Sequence, residues 1–80
     1  MNNWKPTEED ILWTKNVVTI LKIGGTWGTS FGMYTRTGEK ELTLVFDESL
    51  LPVNEKAKKS NQEKVKKCIE AMGWTYKEKQ

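Results

Sequence analysis

Gly24-Gly25-Thr26-Trp27-Gly28-Thr29-Ser30-Phe31-Gly32 decides how the chain is read, because a helical pattern runs into it and an alternating pattern runs out of it. The stretch holds four of the six glycines. Glycine takes positive φ at little cost and lets other atoms approach the backbone. The segment is therefore either a demanding chain reversal or a wall of a binding site.

Upstream, Trp4-Lys5-Pro6 leads to Thr7, an N-cap with Asp10 three positions on in a variant of the capping box. Glu8, Glu9 and Asp10 suit the positive end of a helix dipole, which explains them without acid–base or metal chemistry. At about 100° per residue, Trp13, Val17, Ile20 and Leu21 form one apolar arc, widened by Ile11 and Val18. Lys15, Asn16, Thr19 and Lys22 fall opposite. Leu12 and Ile23 lie on or near that polar side, as ordinary exposed apolar residues or as part of a partner surface. Gly24 and Gly25 end the helix as a left-handed cap would.

Downstream, Thr26 to Phe46 reads as a β-hairpin with strands Phe31–Arg36 and Glu41–Phe46 around a Thr37-Gly38-Glu39-Lys40 turn. Alternation puts Phe31 and Met33 on the core face with Leu42, Leu44 and Phe46. Tyr34 and Arg36 then share the open face with Glu41, Thr43 and Val45, and Arg36 and Glu41 pair across the strands. The acidic residues Glu39, Glu41, Asp47 and Glu48 read as edge charge that discourages aggregation.

Beyond the hairpin, Leu50-Leu51-Pro52-Val53 tacks a connection onto the core. Asn54 to Lys59 is loop or an early helical turn. Ser60 with Glu63 forms a full capping box and sets the start of a second helix there. Val65, Cys68, Ile69 and Met72 follow the helical spacing rule, and Gly73 ends the helix. Trp74-Thr75-Tyr76 alternates as a short further strand. The expected fold is one α+β domain over 1–80, in the order α-β-β-α with that terminal β, two helices lying on a small antiparallel sheet. Residues 1–5 and 77–80 are expected to fray. The expected core is Trp13, Val17, Ile20, Leu21, Phe31, Met33, Leu42, Leu44, Phe46, Val65, Ile69 and Met72.

Composition removes several functions. The chain has no histidine and one cysteine, so neither the usual zinc sites nor a Ser-His or Cys-His pair can be built within one copy. The reading is of a non-enzyme without cofactor or metal. Cys68 falls on an apolar helix face, where a cysteine is usually an inert small hydrophobe. No apolar run approaches the roughly 20 residues of a membrane span, and a lone cysteine fits a reducing compartment, so a cytoplasmic protein is expected. The glycine stretch is neither a P-loop nor a dinucleotide fingerprint, because it closes a helix where those motifs open one.

The layout of Trp13, Gly24-Gly25-Thr26-Trp27-Gly28 and Gly32 resembles small uncharacterised phage-encoded proteins with a helix, a Gly-Gly-x-Trp-Gly step and a hairpin. The resemblance covers about half the chain and transfers no binding residues. It implies a non-enzymatic protein that blocks or sequesters a host factor.

Two functions are expected on these grounds. The first is an inhibitor-type binding protein that engages a host protein or a small anionic, nucleotide-like ligand. Its residues are Trp27, Gly28, Thr29 and Ser30 with the Tyr34/Arg36 face: aromatic rings to stack, hydroxyls for a ribose or phosphate oxygen, and Arg36 for a phosphate. The alternative reading for Trp27 is a core residue. The second function is a nucleic-acid accessory using Lys56, Lys58, Lys59, Lys64 and Lys67. Residues 1–53 carry five Lys/Arg against seven Asp/Glu, and residues 54–80 eight Lys against four Glu, so positive charge concentrates at the C-terminal end. Lysines without arginines give weak, salt-sensitive attraction with little base readout, and a solvated helix face explains them equally. The open sheet face and its edges invite a symmetric homodimer.

Overall fold

Thr7 acts as its position predicts. Its hydroxyl oxygen accepts from the Asp10 backbone N–H at 3.2 Å, and the Asp10 carboxylate accepts from the Thr7 N–H at 2.9 Å. The computed structural model describes residues 4–47 and 54–79, and the first helix, α1, spans Glu8–Gly24. Gly25, at φ 78°, closes it in the left-handed region.

The chain enters a strand at once. β1 (Thr26–Thr29) lies inside the glycine stretch and pairs antiparallel with β2 (Gly32–Gly38), which pairs antiparallel with β3 (Glu41–Phe46). Helix α2 (Glu55–Ala71) then crosses the sheet, and β4 (Thr75–Glu78) joins β3 in parallel. The strand order is β1-β2-β3-β4. The fold is α+β as expected, with the hairpin extended by β1 on one side and β4 on the other, which makes the sheet mixed. Val17, Val18 and Leu21 of α1 and Val65 and Ile69 of α2 meet Tyr34, Leu42, Leu44 and Trp74 in one buried cluster.

The sequence misplaces β2 by one residue. Phe31 belongs to the β1–β2 turn, so alternation begins at Gly32 and carries Tyr34 into the core while Met33 stands half-exposed. Phe46 is also half-exposed. Tyr34 pairs with Leu44 but Met33 pairs with Phe46, which leaves Val45 as the extra residue of a bulge and breaks the Leu42/Leu44 alternation. Phe31 and Met72 pack against the core without being fully buried.

On α1, Trp13 and Ile20 are also half-exposed where burial is expected. The face that meets the sheet centres on Thr14, Val17, Val18 and Leu21. Thr14 can occupy its middle because its hydroxyl donates to the Asp10 carbonyl at 2.6 Å, so no polar atom is stranded.

Helix α2 starts earlier than Ser60. The Asn54 side chain caps it by accepting from the Ala57 N–H at 2.7 Å, and the Ser60/Glu63 pair lies inside the helix. Lys58 secures the first turn. It is buried, donates to the Asp47 carbonyl at 2.8 Å, and pairs with Glu55 at 3.1 Å and Asp47 at 3.6 Å. The tacking role of Leu50-Leu51-Pro52-Val53 and the edge charge at Glu48 lie outside the described residues. At the C-terminal end, Lys77 and Glu78, expected to fray, belong to β4, and the Lys79 N–H donates to the Leu44 carbonyl at 3.0 Å.

Lys58 gives a pH test. The Glu55 hydrogen bond, above all, raises the ammonium above the ordinary lysine range against the opposing effect of burial, with Asp47 adding to it. A raised folded value means that the ion pairs contribute fully at neutral pH and fade as the pH rises through it. Lys58→Met should therefore lower the urea midpoint at pH 7, and the gap to the parent should narrow steadily in alkaline buffer. A gap independent of pH would assign Lys58 a packing role only.

Candidate functional site

Trp27 is held from two sides. Its indole stacks on Tyr34, its cross-strand partner, with centroids 5.2 Å apart, and meets the Trp13 ring edge-on at 5.4 Å. Tyr34 continues to Tyr76 of β4, with centroids 5.8 Å apart and hydroxyls 3.5 Å apart. Successive ring contacts thus link Trp13 of α1, Trp27 of β1, Tyr34 of β2 and Tyr76 of β4 into one aromatic line. Offset and edge-to-face pairs of this kind each contribute about 0.5–1.5 kcal/mol beyond area burial. Trp27 is thus partly buried against the core.

The other expected ligand residues do not converge. Tyr34 is 0 % exposed and cannot touch a ligand at the surface, which corrects its placement on the open face. Burial, with a smaller effect of Tyr76, pushes its hydroxyl well above the usual tyrosine range, so it stays neutral. The Thr29 hydroxyl serves the turn, donating to the Gly32 carbonyl at 2.7 Å and accepting from the Phe31 N–H at 3.2 Å. Ser30 is exposed at the turn, and Gly28 is exposed on β1 with open space where a Cβ would stand. Arg36 is spent on the opposite turn, donating from Nε to the Gly38 carbonyl at 3.0 Å and from Nη2 to the Glu39 carbonyl at 3.2 Å. Four residues along β2, at about 3.3 Å each, separate the Gly32 end from Arg36 by about 13 Å. Arg36 does not pair with Glu41 either. Glu41 accepts from the Thr37 hydroxyl at 2.7 Å and pairs with Lys77 at 3.2 Å, and these two contacts, Thr37 first, hold its carboxyl below the usual range.

Beside the β1–β2 turn lies a groove of about 360 Å³ between the start of α1 and the middle of α2. Trp4, Trp13 and Phe31, from three separate segments, supply its aromatic lining. Val65 and Cys68, both buried, form the floor, and Asp10, Asn61 and Lys64 bring polar groups to it. Gln62, buried on α2, fastens the turn by donating to the Phe31 carbonyl at 2.9 Å. Burial pushes the Cys68 thiol up, against a weaker effect of its hydrogen bond with Thr14, so the thiol at the floor is protonated at neutral pH. A mostly apolar, aromatic concavity with a few polar groups is the usual form of a recognition site. The sequence hides it, because Trp4 is remote in the chain and Asn61 has no pattern to mark it. Gln62 was the available signal: a polar residue on the apolar face, at helical spacing from Val65 and Ile69.

Of the five lysines, Lys58 alone leaves the outer side of α2 for its buried face. Lys58 is consumed by its ion pairs. Lys64 lies over the Trp4 ring at 5.9 Å, and Lys67 donates to the Trp4 carbonyl at 3.3 Å. Lys56 and Lys59 are exposed, but helical spacing interleaves them with Glu63 and Glu70 on the outer face. The two glutamates dilute the positive charge on which phosphate attraction depends.

Among the described residues, no three His, Cys, Asp or Glu side chains gather as metal ligands, and no helix is long and apolar enough to cross a membrane. Comparison with protein-family models, with curated proteins and with solved structures finds no match.

Proposed function

We propose that this is an inhibitor-type binding protein without chemistry of its own, which recognises a partner protein through the Trp4/Trp13/Phe31 groove and the adjoining turn at Thr29–Gly32. The observation that carries the reading is the convergence of three aromatic side chains from three segments on one open concavity. Burying an aromatic side chain from a partner there removes on the order of 150–250 Å² from water. Asp10, Asn61 and Lys64 offer polar groups that orient the bound segment. A protein partner suits this site better than a small anion, since Arg36 and the Thr29 hydroxyl are committed to turns. The resemblance to small phage-encoded proteins supports the same reading, because blocking a host factor requires a surface and no reaction. A reducing compartment such as the cytoplasm fits the single buried thiol.

Filling the groove tests this. Asn61 is exposed, so Asn61→Trp should occupy the concavity without disturbing the core. Affinity capture from the native cell should retain a protein on the parent and on Glu70→Ala, an outer-face control, and lose it on Asn61→Trp. The same protein retained equally by all three would remove the groove from recognition.

A further inference from the structure

β1 is an edge strand, and the ladder on its paired side fixes what its free side offers. The Arg36 N–H donates to the Gly25 carbonyl at 2.8 Å, and the register sets Trp27 against Tyr34 and Thr29 against Gly32. Antiparallel bonding uses alternate residues, so Thr26 and Gly28 turn their N–H and C=O groups away from β2. Both residues are exposed, and among the described residues no backbone hydrogen bond reaches those groups from elsewhere. Open space stands where a Cβ of Gly28 would project, so a neighbouring chain can come close. The opposite edge is different. β4 carries Lys77 and Glu78, with Lys79 next, and such charges keep further strands off an edge. Thr26-Trp27-Gly28-Thr29 holds no charge and no proline.

We infer that β1 pairs antiparallel with β1 of a second copy, about a two-fold axis at Trp27, and continues the sheet from one molecule into the other. Outward backbone groups on an uncharged edge are a template for another strand, which sets the chemistry of the occupant. With the axis at Trp27, Thr26 of each copy faces the partner's Gly28, and every outward N–H and C=O of the two residues bonds across the seam. An axis at Thr26 would set Gly28 against the last residue of α1, and one at Gly28 would set Thr26 against the β1–β2 turn. The layer above favours a second copy over a bare peptide. α1 packs on β1 and β2, whereas α2 packs on β4. Trp13 of α1 meets Trp27, and Ile20, about two turns on along the same side, is 46 % exposed. A peptide lying in the sheet leaves that flank open to water. The two-fold keeps both helix layers on one side of the joined sheet and brings the second α1 alongside, which covers it. The charged β4 edges end the sheet, so pairing closes at a dimer instead of growing into a filament. A seam of four residues is small, so the dimer exchanges with monomer.

Sedimentation equilibrium should show the apparent mass rising from 9.3 kDa toward twice that value as concentration increases. Gly28→Pro removes an outward N–H that β2 does not use, and proline is tolerated on an edge strand in that orientation. The variant should keep its near-ultraviolet circular dichroism and associate about a hundredfold more weakly. The parent alone reads the seam through amide hydrogen exchange. The Thr26 and Gly28 amides should exchange rapidly in dilute solution and become protected as concentration rises, while the Trp27 amide, bonded to Tyr34, stays protected throughout. A parent that remains at 9.3 kDa up to millimolar concentration overturns the dimer. A dimer whose Thr26 and Gly28 amides stay unprotected overturns the strand seam.

Discussion

Tyr34→Ala should leave the protein unfolded at room temperature. The ring is wholly buried, stacks on Trp27 and touches Tyr76, so its removal opens a cavity at the centre of the aromatic line. Deleting a buried aromatic side chain costs about 3–5 kcal/mol, and a domain near this size rarely has more than about 3–5 kcal/mol in total. Loss of the near-ultraviolet signal and of a cooperative urea transition would meet the expectation; a sharp transition near the parent midpoint would refute it. Tyr34→Phe should be mild at neutral pH, losing about 1 kcal/mol or less, because it keeps the stack and gives up only the 3.5 Å hydroxyl contact. Its behaviour in base should differ in sign. The folded state holds the Tyr34 proton more tightly than the unfolded state does, so the parent loses stability as the pH rises above about 10. The phenylalanine variant is spared that loss, and the two stability curves should converge or cross in alkaline buffer.

Gly32→Ala should be the most damaging of the glycine substitutions. Gly32 sits at φ 150°, and an added Cβ would lie 2.7 Å from the Phe46 carbonyl oxygen and 2.8 Å from Leu44 Cδ1. The carbonyl belongs to the neighbouring strand and cannot swing aside without breaking the β2–β3 ladder. The combined backbone strain and overlap should cost about 2–4 kcal/mol. Gly28→Ala is the internal control: nothing stands within 4 Å of its added Cβ, and the change should fall within about 0.5 kcal/mol of the parent. Urea midpoints for the two variants measure the contrast directly. Equal midpoints would show that the strand yields at Gly32 more easily than its geometry implies.

The helices and the fold class were legible in the sequence because caps and periodic faces are local signals. Thr7, Asp10 and Gly25 act as their types predict, and Leu42 and Leu44 are buried as alternation requires. Errors arose where a non-local contact chose between two local options. Gln62 of α2 pins the Phe31 carbonyl, which holds Phe31 in the turn and removes it as a guide to the buried face of β2. Asn54 outcompeted Ser60 as a cap in a helix whose first turn Lys58 ties back to Asp47. The candidate site was less legible. Trp27 and Phe31 mark its neighbourhood, but Trp4 and Asn61 reach the groove only through tertiary packing.

The parallel pairing of β4 with β3 also bears on how the molecule assembles. The β1–β2–β3 meander needs only neighbouring segments, whereas Glu41 meets Thr75 only after all of α2 has been placed between them. That non-local closure carries the largest entropic cost in the sheet, offset beforehand by the packing of Val65 and Ile69 and by the Gln62 tie to Phe31. On a ribosome, the aromatic line would wait for Tyr76 to emerge before its last ring could dock.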